Sequence, residues 1–216
     1  MFGTNSIVGK KYFNDAPTNS LLVTSLFGVT IQGEGPFSGE NAIFIRLAKC
    51  QLNCGFCDAF FDDGDWLTFD QIETKIYETI CDHWNKKGKP VPTWALPKQQ
   101  SESSRLGPYP NIVLVITGGE PLLQDNVTEF MRRQVGRFKA VQVESNGILN
   151  TEVPDGVVLV CSPKCMEKDG KATRYFSPSA TILDRADCLK FVMTATEGTP
   201  YHEVPQWAHE WREKTG

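Results

Sequence analysis

Three cysteines stand on one short stretch of the chain, and their type and spacing suit them to bind a metal cluster. Cys50, Cys54 and Cys57 fall in the run R-L-A-K-C-Q-L-N-C-G-F-C-D, with three and then two residues between them. A loop of this length can bring three thiolates to three irons of a cubane iron–sulfur cluster, which normally takes four cysteines. The fourth iron would then be open to a substrate or cofactor.

On spacing alone, two other interpretations of these cysteines stay open. Zn²⁺ is also bound by cysteine in tetrahedral sites, and Cys161 or Cys165 could supply the fourth ligand. The thiols could also be small buried apolar groups. The three histidines lie away from every polar motif of the chain, which argues against His-based acid–base catalysis.

The composition indicates a single globular domain. The chain has 216 residues, of which 40% are hydrophobic and 22% charged. A net charge of -4 offers no basic surplus for nucleic acid, and no apolar run approaches the roughly 20 residues that span a bilayer. Seven cysteines without an export signal favour free thiols or metal ligands, so we expect a cytoplasmic protein without nucleic-acid or membrane partners.

Regular alternation of strands and helices predicts an α/β fold with a mostly parallel sheet. Apolar runs predict strands at 42–47, 112–116, 140–143, 157–160 and 188–193. Thr68 and Gln71 form a capping-box pattern at the start of a helix. The apolar face of that helix is predicted to be Phe69, Ile72, Ile76, Ile80 and Trp84. Further helices are predicted over 125–138 and 204–214.

The domain organisation follows from the polar and proline-rich stretches. We expect residues 1–23 to be a polar N-terminal lead-in and residues 24–216 to form one domain, with a Pro-rich insertion at 85–110. The chain ends just after a helix, where a βα pattern would return to a strand. We therefore expect a partial barrel, with a C-terminus that is short or truncated.

Short polar motifs lie where the predicted strands begin and end. Gln32–Gly35 precedes the first strand, and Thr117–Pro121, Glu144–Gly147 and Ser162–Lys164 follow later strands. Ligands of parallel α/β folds gather at such strand ends. Glycines can let the backbone approach a ligand closely, although Gly118 and Gly119 alone would equally suit a tight turn.

Three charged residues of these motifs have both a binding and an ordinary interpretation. Glu120 could pair with an ammonium group or be a helix-start carboxylate. Lys164 could pair with a carboxylate or be solvated. Arg46 stands within an apolar strand, so it needs an anionic or carbonyl partner if it points inward, and none if it faces outward at a sheet edge.

The ordered combination of C-x3-C-x2-C and T-G-G-E-P resembles the radical S-adenosylmethionine superfamily. The resemblance implies a modified, partial (β/α) barrel and a 4Fe–4S cluster held by Cys50, Cys54 and Cys57. S-adenosylmethionine would chelate the open iron and yield a 5′-deoxyadenosyl radical. Because the radical arises at the cluster, no side chain is expected to be a catalytic residue.

Five motifs in order over residues 26–192 resemble one family of that superfamily, the 7-carboxy-7-deazaguanine synthases. They are F-G-V-T-I-Q-G-E-G-P-F-S-G, A-I-F-I-R-L, V-I-T-G-G-E-P, V-E-S-N-G and V-C-S-P-K. The resemblance implies a carbon–nitrogen lyase that converts 6-carboxy-5,6,7,8-tetrahydropterin to 7-carboxy-7-deazaguanine with loss of ammonia, in queuosine-type 7-deazapurine biosynthesis. It also implies Mg²⁺, an electron donor such as flavodoxin, and a homodimer.

The same resemblance assigns binding residues at the matching positions. The pterin would contact Ile31, Gln32, Gly33, Arg46 and Thr117. S-adenosylmethionine would contact Phe56, Asp58, Gly119, Ser162, Pro163 and Lys164.

One departure from the family pattern concerns Mg²⁺. The family reads C-D-T after the cluster, and its Thr hydroxyl binds Mg²⁺, whereas this chain has Ala59. Mg²⁺ would then depend on substrate oxygens and water. The alternatives are another radical enzyme, such as a glycyl-radical activase, and a non-enzymatic zinc-binding module.

Overall fold

The computed structural model describes residues 5–93, 95 and 108–215. In these residues the strands are β1 (Ser20–Ile31), β2 (Asn41–Leu47), β3 (Asp65–Thr68), β4 (Tyr109–Gly118), β5 (Phe138–Ser145), β6 (Val157–Cys161), β7 (Cys165–Lys168), β8 (Lys171–Tyr175) and β9 (Cys188–Leu189). The helices are α1 (Phe69–Asn85), α2 (Val127–Gln134), α3 (Ala180–Arg185) and α4 (Gln206–Thr215). None of these helices has both the length and the apolarity to cross a membrane.

A seven-stranded sheet in the order β3-β1-β2-β4-β5-β6-β9 forms the centre of the fold. Strands β2, β4, β5, β6 and β9 run parallel, while β1 pairs antiparallel with both β2 and β3. The mostly parallel α/β sheet expected from the sequence is therefore confirmed. Since parallel strands share one carboxyl edge, the loops after β2, β4, β5 and β6 meet on the same side.

The two faces of the sheet differ in polarity because side chains alternate along each strand. On β2, Ile43, Ile45 and Leu47 are buried in the main core, which also contains the apolar residues of α1 and α2. The opposite side, called the inner face here, carries Ala42, Phe44 and Arg46. A smaller apolar cluster there combines Ala42 and Phe44 with residues of β4. The inner face thus turns polar towards the carboxyl ends of the strands.

The capping box predicted for α1 is present. The Thr68 hydroxyl accepts a hydrogen bond from the Gln71 backbone N–H at 3.2 Å, and the Gln71 side chain accepts one from the Thr68 N–H at 2.8 Å. The helix buries Phe69, Ile72 and Ile76, with Ile80 one turn further on. This confirms the predicted apolar face, with Trp84 packed partly buried against the same core.

Two predicted elements are shorter than expected. The helix predicted over 125–138 ends at Gln134, because Gly136 takes a left-handed conformation with φ of 78° and Phe138 begins β5. The strand predicted over 188–193 pairs with β6 only at Cys188–Leu189. Residues after it instead continue along the mouth of the sheet, where Phe191 and Val192 line a cavity.

Strand β1 was not predicted, because serine, threonine and glycine interrupt its apolar residues. This strand begins at Ser20, inside the predicted 1–23 lead-in, and Ile7 forms a further β-bridge with Cys50. Of the predicted 85–110 insertion, residues 94 and 96–107 lie outside the described residues. The division into a lead-in and one domain stays a prediction.

Candidate active site

A cavity of about 500 Å³ opens at the carboxyl edge of the parallel strands. Its wall combines the cysteine loop after β2 with the loops after β4, β5, β6 and β9. The predicted site residues in this wall are Cys50, Cys54, Phe56, Cys57, Asp58, Thr117, Gly119, Ser162 and Lys164. Motifs that lie far apart along the chain therefore share one cavity.

The three cysteines of the loop are free thiols that differ in exposure. Cys50 is buried, Cys54 half-buried and Cys57 exposed. The Leu52 N–H lies 3.4 Å from Cys50 Sγ, and the Cys57 N–H donates to the Cys54 carbonyl at 3.0 Å. Among the described residues, no three His, Cys, Asp or Glu side chains converge closely enough to hold a single metal ion.

The donor set of this loop fits an iron–sulfur cluster with three protein ligands. Three unpaired thiols line one roomy cavity, and thiolate is the usual ligand of cluster iron. Cys161, considered above as a fourth zinc ligand, is buried in the main core and is not part of the cavity wall. Cys165 is buried in β7, also outside that wall.

Burial controls the protonation of two of the thiols. It raises the pKa of Cys50 to about 12 and that of Cys54 to about 11. Burial thus strengthens the preference of both groups for the neutral thiol over the thiolate. Since metal ligation requires thiolates, filling the site would release these protons.

The two glycines of the Thr117–Pro121 motif allow two backbone segments to approach closely. A Cβ at Gly118 would lie 2.2 Å from the Leu47 carbonyl oxygen, and one at Gly119 would lie 2.0 Å from that of Lys49. The Glu120 N–H donates to the same Lys49 carbonyl at 2.9 Å. Because Gly118 and Gly119 have no side chains, the end of β4 can pack directly against the backbone of Lys49, the residue that precedes Cys50.

Among the described residues, the Glu120 carboxylate is hydrogen-bonded to two loops of the site. This fully buried carboxylate accepts hydrogen bonds from the Ser145 hydroxyl at 2.8 Å, the Asn146 N–H at 2.7 Å and the Leu122 N–H at 3.0 Å. Burial raises its pKa despite these three donors. Glu120 therefore ties the loop after β4 to the loop after β5.

Glu144 is the centre of a polar network on the inner face. Its Oε1 accepts hydrogen bonds from Gln142 Nε2 at 3.0 Å and Gln32 Nε2 at 3.3 Å, and its Oε2 accepts one from Lys190 Nζ at 2.8 Å. Gln32, a predicted pterin residue, thus contacts Glu144, which lines the cavity. Among the described residues, Gln142 Oε1 is buried without a hydrogen-bond partner.

Arg46 lies beside Thr117 in the register of β2 and β4, and its guanidinium lies 5.4 Å from the centre of the Phe27 ring. It is half-buried, and within the described part of the chain it forms no salt bridge. Of the five predicted pterin residues, Thr117 lines the cavity, whereas Ile31, Gln32, Gly33 and Arg46 lie outside its wall. Ile31 and Gly33 are also exposed.

On the opposite wall, the Lys164 ammonium donates to the Ser162 carbonyl and hydroxyl oxygens, both at 2.6 Å. Burial lowers the pKa of this lysine. Phe56 packs edge-on against Tyr201, with ring centres 4.8 Å apart. Pro163 is buried between the two polar residues and does not reach the wall.

Some residues of the wall were not predicted as site residues. Glu34, Glu144 and Lys190 all lie in it. The first two belong to motifs noted at strand ends, but their roles depend on side-chain contacts that the sequence does not show. Lys190 stands in the apolar run C-L-K-F-V-M, the same signal that singled out Arg46.

Known proteins resemble this chain in sequence and in fold. The 7-carboxy-7-deazaguanine synthase of Rhodospirillum rubrum is 32% identical over 207 residues, which are 95% of this chain and 71% of that protein. The synthase of Rickettsia prowazekii is 34% identical over 212 residues, covering 97% of this chain and 77% of that protein. No protein-family model matches the chain.

The crystal structure of QueE from Escherichia coli has the same fold. It superposes with a TM-score of 0.53 at 21% sequence identity, covering 85% of this chain and 75% of that one. The named relatives place the chain in the radical S-adenosylmethionine class of enzymes, and its three free thiols lie at the mouth of the mostly parallel α/β sheet. Within that class, the chain belongs to the 7-carboxy-7-deazaguanine synthase family.

Proposed function

We propose that this chain converts 6-carboxy-5,6,7,8-tetrahydropterin to 7-carboxy-7-deazaguanine with loss of ammonia, in 7-deazapurine biosynthesis. The observation that carries the proposal is one cavity that gathers the three cysteines with Thr117 and Lys164 from distant motifs. Family membership supports the reaction, and the single cavity supports a small-molecule substrate.

Cys50, Cys54 and Cys57 would hold a 4Fe–4S cluster. With S-adenosylmethionine bound, this group supplies the electron and the hydrogen-abstracting radical for the ring contraction. The chain's own residues would bind and orient the substrate and close the cavity to water.

For S-adenosylmethionine, the proposed contacts are Phe56, Asp58, Gly119, Ser162, Pro163 and Lys164. The first two lie next to the cysteines, and Tyr201 supports the Phe56 ring from behind. The Ser162 oxygens hold the Lys164 ammonium at one place in the wall. A fixed ammonium there suits the carboxylate of the methionine moiety.

For the pterin, the proposed contacts are Ile31, Gln32, Gly33, Arg46 and Thr117. Arg46 supports the carboxylate end of the substrate, because it is a half-buried cation without a salt bridge among the described residues. Thr117 is its neighbour on β4. Of the five, Thr117 lines the cavity wall, and Ile31, Gln32, Gly33 and Arg46 lie outside it.

The remaining partners belong to the same proposal. We infer an electron donor of the flavodoxin type, a homodimer and a cytoplasmic location. Mg²⁺ would bind through substrate oxygens and water, because Ala59 offers no side-chain oxygen.

The test is anaerobic reconstitution with iron and sulfide, followed by incubation with S-adenosylmethionine, reductant and the carboxypterin. Mass spectrometry should detect 7-carboxy-7-deazaguanine and one ammonia per turnover. Cys54→Ser should abolish the product, whereas Cys81→Ala, a cysteine outside the cavity wall, should retain it. A fully loaded protein that forms no product would refute the reaction, and purified protein with zinc but no iron would favour the zinc module.

A further inference from the structure

We propose that Asn5, Lys49 and Asp62 form a clamp that positions the cysteine loop for its cluster. This loop clamp joins the two ends of the loop, residue 49 before it and residues 59–62 after it. The inference rests on the proposed function, because it assigns positioning residues to the cluster-binding loop.

Asn5 contacts the far end of the loop with both atoms of its side-chain amide. Its Nδ2 donates to the Ala59 carbonyl at 2.9 Å, and its Oδ1 accepts from the Phe61 N–H at 2.8 Å. Three residues later, the Val8 N–H donates to the Cys50 carbonyl at 3.0 Å. One short segment, Asn5–Val8, therefore holds both the entry and the exit of the loop.

Lys49, at the start of the loop, forms hydrogen bonds to residues 61 and 62 at its end. Its backbone N–H donates to the Phe61 carbonyl at 2.7 Å. Its ammonium donates to the Asp62 carbonyl at 2.5 Å and to Asp62 Oδ1 at 2.9 Å, and its side chain is only 11% exposed. The Asp62 carboxylate also accepts from the Ser6 N–H at 2.9 Å and the Ser6 hydroxyl at 3.1 Å.

Lys49 also has a backbone conformation that is uncommon for a residue with a side chain. Its φ of 74° lies in the left-handed region. The carbonyl of this residue accepts the Glu120 N–H and lies where a Cβ on Gly119 would collide. The turn at Lys49 therefore directs Cys50 into the cavity while the ammonium reaches back to Asp62.

The loop between these ends has little regular structure of its own. Residues 50–60 contain no helix or strand, and the described backbone contact within them is the Cys57 N–H to the Cys54 carbonyl. The Gly55 N–H also donates to both carboxylate oxygens of Glu167 at 2.9 Å, so the middle of the loop is held from β7 while its two ends are held by the clamp. Outer contacts of this kind orient metal ligands, and losing one typically costs about ten- to a hundredfold in metal affinity.

The experiment compares the full chain with Asn5→Ala and Asp62→Ala after anaerobic reconstitution. Lys10→Met is the matched control, because Lys10 lies in the same N-terminal stretch but its ammonium bonds Asp125 at 2.8 Å, away from the loop. The readouts are the rate of iron loss to a chelator, the electron paramagnetic resonance spectrum of the reduced cluster and the thermal midpoint of the apoprotein. Both loop variants should lose iron about tenfold faster than wild type, and Lys10→Met should match wild type.

Conservative variants separate positioning from folding. Asp62→Asn keeps an acceptor for Lys49 and should lose iron more slowly than Asp62→Ala. Asn5→Asp keeps the acceptor for the Phe61 N–H but loses the donor to the Ala59 carbonyl. It replaces Asn5→Ala in the experiment if that variant does not fold. Wild-type rates of iron loss and an unchanged spectrum in all loop variants would overturn the clamp, even with a lowered apoprotein midpoint. A wild-type protein without a 4Fe–4S spectrum would instead overturn the proposed function.

Discussion

The Lys190 ammonium lies 2.8 Å from Glu144 Oε2 and 2.7 Å from Glu34 Oε2. It thereby connects the end of β9 to β5 and to the segment before β2. The Lys190 and Glu144 side chains are 23% and 15% exposed, so the pair is largely shielded from water. Removing one partner of such a pair leaves the other charge poorly solvated, which costs more than the pair itself contributes.

Lys190→Met should raise the KM for the carboxypterin about tenfold, because Glu144 would lose its cation and reorient in the cavity wall. Steady-state kinetics at saturating S-adenosylmethionine measures this. The matched control is Lys139→Met, whose ion pair with Glu40 lies on the surface and outside the cavity. A KM that changes equally little in both variants would contradict a role for Lys190 in the site.

Gly119→Ala should prevent cluster loading and destabilise the fold by several kcal/mol. Its Cβ would lie 2.0 Å from the Lys49 carbonyl oxygen, and a backbone atom cannot move aside as a flexible side chain can. The measurements are iron content after reconstitution and the urea midpoint. Gly9→Ala is the control, because a Cβ there meets no atom within 4 Å. Normal iron content in Gly119→Ala would show that the two segments can separate.

The ion-pair network at Glu73 should make stability depend on pH. Burial alone would raise the pKa of Glu73, but hydrogen bonds from Arg133, Gln134 and Arg137 outweigh it and lower that pKa. A lowered carboxyl pKa gives stability that is fully present above the unfolded value of about 4.3 and is lost as pH falls through the folded value.

Glu73→Gln should therefore be about 3 kcal/mol less stable than wild type near pH 7, since it leaves two arginines without their buried carboxylate. The difference should shrink steadily once the pH falls below about 4. Urea unfolding at several pH values measures it. Glu129→Gln, on an exposed ion pair of α2, should change little at any pH. If the difference in unfolding free energy between Glu73→Gln and wild type does not change with pH, lost packing and not lost charge causes it.

Ala59→Thr should make activity depend more strongly on Mg²⁺, because it restores the hydroxyl that the family pattern places there. Product formation with and without Mg²⁺ is compared for wild type, Ala59→Thr and Ala59→Val. Valine has nearly the same shape as threonine but no oxygen. Equal stimulation of both variants by Mg²⁺ would show that the side chain at this position does not bind the ion.

Much of the α/β architecture was predictable because it rests on local patterns. The apolar runs of β2, β4, β5 and β6 and the capping box at Thr68 depend on residues that are neighbours in sequence. Strand β1 and the end of the helix before Phe138 were not predicted. For β1, antiparallel pairing with β2 outweighed a weak local strand pattern, whereas the helix ends before Gly136, whose left-handed conformation breaks it.

The cysteine loop and the glycine turn after β4 were evident from the sequence, because their chemistry needs specific residue types at fixed spacing. The residues proposed to bind substrate and S-adenosylmethionine came from the resemblance to the family's motifs. Three contacts became visible only in the folded chain: Glu120 joins two loops, Glu144 and Lys190 form an ion pair in the wall, and Asn5 bonds the end of the cysteine loop. These roles join residues between 25 and 56 positions apart. Such contacts depend on how the strands stack side by side, which no local spacing encodes.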